Sequence, residues 1–71
     1  MMDEAKKRVE QEKEELDARI EKIRKVIYGE KAKELPVRQY ILLVRQENLM
    51  LQYSKVLGER LAIWDEVNSN D

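Results

Sequence analysis

The chain has no cysteine, no histidine and no phenylalanine, and it carries a single proline, a single tryptophan and two glycines. Without cysteine there is no disulfide and no thiolate metal site. Without histidine the usual zinc constellations and the Glu-x-x-His element of a di-iron bundle are excluded too. Nucleophilic catalysis loses its commonest base, and Ser54 has no evident base beside it. Charge of one sign is also lacking: 14 basic and 15 acidic residues leave a net charge of −1, too little to attract long nucleic acid or an anionic membrane. No apolar run approaches the roughly 20 residues that span a bilayer, and the opening MMDEAKKRVEQ does not read as a signal peptide. The composition predicts a cytoplasmic, non-enzymatic protein without cofactor or metal.

At 71 residues the chain is near the lower limit for burying enough apolar surface to fold unaided. Disulfides and metals being excluded, oligomerisation is the remaining common way to enlarge the core.

What is present is helix-forming sequence. From Asp3 to about Tyr28, Glu, Lys, Arg and Ala dominate, with neither Gly nor Pro to interrupt. Val9, Leu16, Ile20, Ile23 and Ile27 recur with the three-, four- and seven-residue spacing of a helix packed along one seam. Lys6 and Lys13 occupy seam positions, which predicts a wetter first half. Asp3 is the expected N-cap and Gly29 the expected left-handed C-terminal residue. A turn over 29–35, with a short helical stretch at Lys31 to Glu34, leads to Pro36 as the first position of a second helix over about 36–67. Residues 68–71 read as a disordered tail. The fold class is all-α: one domain over 1–67, an antiparallel two-helix hairpin assembling into a homo-oligomeric helical bundle.

The second helix is unusually apolar. On a helical wheel Leu42, Leu43, Leu49, Met50, Val56, Leu57, Leu61, Ile63 and Trp64 fall in one arc of roughly 160°, wider than one hairpin partner covers. Tyr40, Ile41, Val44 and Leu51 lie outside it. Ile41, Leu42, Val44, Leu49, Met50, Leu51, Val56, Leu57 and Trp64 are therefore the expected oligomer or partner interface. A helix face docking another protein is one reading of that surface, self-association the other. Trp64 anchors the helix ends or serves as an interface hot spot.

Two polar groups are candidate ligand sites. Gln46, Tyr53 and Arg60 recur at seven-residue spacing near the centre of the arc. They read either as hydrogen-bonding across the helix interface or as lining a pocket in which a ring stacks on a base and Arg pairs with phosphate. Tyr28, Lys31, Lys33, Arg38 and Tyr40 surround the turn, where basic residues at a helix N-terminus would suit an anion; a solvated turn is the plainer reading. Arg45, Glu47, Glu59 and Asp65 read as ordinary surface charge.

The order RVEQEKEELDARIEKIRKVI, then ELP, then LLVRQENLMLQYSKVLGERL resembles small helical-hairpin proteins of tailed bacteriophages, including relatives in crAss-like phages. The matching positions are Arg8, Val9, Leu16, Ile20, Ile23, Leu35, Leu42, Leu43, Gln46, Met50, Tyr53, Leu57 and Arg60. In size and hairpin plan the chain is also similar to phage anti-CBASS proteins, oligomers that sequester cyclic oligonucleotide signals of bacterial immunity. The resemblance implies a counter-defence protein acting in the host cytoplasm, with partners that include itself and either a host defence protein or a cyclic oligonucleotide. A structural oligomerisation or protein-interaction module without a small ligand is the alternative.

Overall fold

A computed structural model describes residues 2–69. Helix α1 spans Met2–Ile27, a 3₁₀ turn spans Glu30–Glu34, and helix α2 spans Val37–Ser69. The two helices pack side by side as a rod of 54 × 15 × 15 Å with a radius of gyration of 16.2 Å.

The α1 seam is where its spacing places it. Val9, Leu16, Ile20, Ile23 and Ile27 are all buried, and Val9, Leu16 and Ile20 cluster with Leu57, against which Met50, Leu61 and Trp64 pack. Leu57 is 1 % exposed, the most enclosed of the core side chains. Lys6 and Lys13 stay on the seam by pairing: Lys6 reaches Asp65 at 2.8 Å and Lys13 reaches Asp17 at 2.8 Å. The stem of Lys13 runs past Gly58, whose added Cβ would lie 3.5 Å from the Lys13 Cε.

Three cross-helix contacts set an antiparallel register: Lys6 to Asp65, Asp17 to Ser54, and Arg24 to Glu47. Each step forward along α1 is matched by an equal step back along α2, so the hairpin runs without a slip. The seam of α2 is Leu43, Glu47, Met50, Ser54, Leu57, Leu61 and Trp64, alternating steps of four and three.

Several local expectations are corrected. Gly29 is not left-handed: its φ is −90° and ψ 171°, an extended conformation open to any residue. Glycine is required there by crowding, because a Cβ would collide with the Lys25 carbonyl oxygen. The 3₁₀ stretch begins at Glu30, one residue before the short helical stretch expected at Lys31 to Glu34. Pro36 sits just outside α2, its carbonyl accepting the Tyr40 N–H at 3.0 Å, while Leu35 before it is extended, as the proline ring demands. Helix α1 begins at Met2, ahead of the expected Asp3 cap, and the Asp3 side chain lies outside what is described. Helix α2 continues to Ser69, so residues 68 and 69 of the expected tail are helical, while 70 and 71 lie outside the described residues.

Candidate functional site

The wide apolar arc of α2 is divided in two by the hairpin. One edge, Leu43, Met50, Leu57, Leu61 and Trp64, faces α1. The other edge is a stripe at exact seven-residue intervals, and it is open: Leu42 is 54 % exposed, Leu49 57 %, Val56 50 % and Ile63 59 %. Of the residues read as an interface to another molecule, Leu57 is therefore enclosed within the hairpin, and Met50 and Trp64 pack on the hairpin core. Ile41, Leu42, Leu49, Leu51 and Val56 are exposed, with Val44 partly so.

Gln46, Tyr53 and Arg60 form a row between these two edges. All three are exposed, so the reading in which they hydrogen-bond across the helix seam is corrected. The heptad register explains why. The seam lies one residue further along, and its polar members are Glu47 and Ser54. Glu47, expected as surface charge, is 4 % exposed and faces Arg24, with its Oε2 3.4 Å from the Arg24 Nε. A carboxylate removed from water needs such a counter-charge. Arg24 also lies over the Tyr28 ring, 5.8 Å from its centroid, so one guanidinium serves a buried carboxylate and an exposed ring.

Ser54 donates to the Asp17 Oδ1 at 2.5 Å while Lys13 donates to the Oδ2 at 2.8 Å. The hydrogen bond from Lys13, then that from Ser54, holds the Asp17 carboxyl below the usual carboxylate range. These contacts fix the hairpin.

Gln46 lines a shallow groove with Arg19, Lys22 and Val26 of α1 and Leu43 and Met50 of α2. Two cations thus join the row from the opposite helix. Sequence reading missed them, although Arg19 and Val26 share one flank of the α1 seam, seven residues apart. Tyr53 and Arg60 continue the row down α2, each about 10 Å further along.

The turn cluster is split by the fold. Lys33 and Tyr40 line one hollow with Ala32, Leu35 and Val37, whereas Lys31 lines another with Lys25, Val26, Gly29 and Glu34. Tyr28 is exposed beneath Arg24, and Arg38 is exposed at the start of α2, outside both hollows. The five residues read together around the turn do not converge on one pocket. Among the described residues no group of acidic side chains is arranged to hold a metal ion, and no helix is long and apolar enough to cross a membrane.

A family model covers residues 3–63, from the first turn of α1 to the last third of α2, including the α1 seam, the α2 seam as far as Leu61, and the polar row. The chain belongs to the Sequestin family. That match takes in most of the hairpin of this Sequestin chain and stops before Trp64 and Asp65. No curated protein and no solved structure matches the chain. The Sequestin name points to sequestration, holding a ligand or factor out of circulation.

Proposed function

We propose that this Sequestin protein is a phage or prophage counter-defence protein that captures a host immune factor or cyclic oligonucleotide signal and retains it intact. The family match over residues 3–63 carries the reading. Two features support it. The row of Gln46, Tyr53 and Arg60 is solvent-facing, with Arg19 and Lys22 beside its first member, a combination suited to stacking a base and pairing a phosphate. The residue set, without His or Cys, favours holding a ligand over turning it over. The protein acts in the host cytoplasm as a homo-oligomer, since the open stripe on α2 would otherwise leave apolar surface in water.

Native mass spectrometry with cyclic di- and trinucleotides tests this. The expected outcome is uptake of intact ligand at a fixed ratio, lost in Arg60→Gln and Tyr53→Ala. Uptake lost instead in Lys33→Ala or Arg38→Ala would move the site to the turn. A chain that takes up no nucleotide and binds no defence protein would remove the reading. The exposed stripe favours a second one, a pure oligomerisation module, in which those variants would alter only assembly.

A further inference from the structure

The open stripe of α2 is flanked by an ordered line of charge. Arg38, Arg45, Gln52, Glu59 and Glu66 succeed one another at seven-residue intervals, basic in the first half, neutral in the middle and acidic in the last half. Against a parallel copy this line would face the opposite flank of the other α2, which carries Leu43, Met50, Leu57 and Trp64, and its charges would gain no partner. Against an antiparallel copy each charged member meets one of opposite sign, and Gln52 meets its own equivalent.

From this we infer that the stripe is the interface to a second copy of the chain, with the two α2 helices antiparallel about a twofold axis passing near Gln52. The inference rests on the self-association in the proposed function and is independent of its ligand. With Leu49 set against Tyr53 of the second copy, Gln46 comes to Val56, and Leu42 to the aliphatic stem of Arg60. These are the layers that alternating steps of three and four produce in an antiparallel coiled coil. The same register, with no further adjustment, brings Arg45 beside Glu59 of the second copy, twice by symmetry, and Gln52 beside its own equivalent.

The hairpin supports this choice of partner. Among the described residues neither Arg45 nor Glu59 is engaged in an ion pair within the chain, whereas the inward seam has three. Its two helices already form an antiparallel pair of the same spacing, so doubling it across the stripe gives a four-helix arrangement with the apolar side chains of α2 covered on both edges. Tyr53 and Gln46 of both copies then line the new interface around the axis.

The test needs no ligand. Sedimentation equilibrium of the full chain would be compared with Arg45→Glu, Glu59→Arg and the double reversal, with circular dichroism reporting helix content. The wild type is expected to be a dimer or an even multiple of it. Each single reversal places two like-charged pairs across the axis and weakens association about tenfold, and the double reversal restores it. Leu49→Gln, on the stripe itself, gives an independent loss should a charge variant lose helix. A chain monomeric at its highest soluble concentration overturns the inference. So does association indifferent to both Leu49→Gln and the single reversals, or a double reversal that fails to recover. Nucleotide uptake by a chain that stays monomeric would keep the ligand reading while removing this one.

Discussion

Ser54 on α2 donates a hydrogen bond of 2.5 Å to the Asp17 carboxylate on α1, tying the two helices together near the middle of the rod. Asp17 remains partly open to water, which limits what this bond contributes. Ser54→Ala is expected to cost about 1 kcal/mol, read as a lower midpoint in thermal unfolding followed by circular dichroism.

The same carboxylate makes stability depend on acid. Its folded-state pKa lies below its ordinary value, by the hydrogen bonds from Lys13 and then Ser54. Its contribution is therefore complete above about pH 4, where the unfolded chain's carboxyl is also ionised. It is lost as pH falls through the lowered folded value. The gap between the midpoints of wild type and Ser54→Ala should narrow as pH falls below about 4 and level off once it passes the folded value. A gap of constant size from neutral pH into the acid range would mean that the hydroxyl acts by packing alone.

Glu47 and Arg24 should respond unequally to replacement. Removing Arg24 as Arg24→Met leaves a buried carboxylate facing no cation, whereas Glu47→Leu removes the buried charge and leaves a half-exposed guanidinium in water. Arg24→Met is expected to cost about 1–3 kcal/mol and Glu47→Leu to be near neutral or stabilising. Urea unfolding of the two single variants and the double variant checks this, and equal losses would argue against the buried pair.

Gly58 sits within α2 beside the Lys13 stem, where an added Cβ meets ordinary van der Waals contact at 3.5 Å. A glycine inside a helix gives up more backbone entropy than alanine does. Gly58→Ala is therefore expected to stabilise the chain by about 0.5–1 kcal/mol, visible as a raised thermal midpoint. Gly29→Ala should do the reverse, because its Cβ would meet the Lys25 carbonyl.

The hairpin was legible because α1 has one narrow seam and almost nothing else apolar, so Val9, Leu16, Ile20, Ile23 and Ile27 had only one side to turn inward. Helix α2 was harder. Its apolar residues spread over two adjacent edges, and a straight wheel puts Gln46, Tyr53 and Arg60 at the middle of the combined arc. Only the partner's position separates the edges, and it selects the row containing Glu47 and Ser54 for the interior. A buried glutamate looks like surface charge until Arg24, 23 residues earlier in the chain, is brought against it. The turn misled for a similar reason. A glycine after a helix ordinarily marks a left-handed residue, and nothing in the local sequence shows that Gly29 instead makes room for a carbonyl.

The rod is more than three times as long as it is wide, and its radius of gyration of 16.2 Å exceeds the roughly 11 Å of a compact chain of this length. Such a shape drags more than a sphere of equal mass. On a sizing column calibrated with globular standards, one hairpin would elute early and pass for an oligomer, while side-by-side doubling would thicken the rod without lengthening it. Elution volume is therefore a poor witness to how many chains are present, and mass has to be measured by scattering or sedimentation.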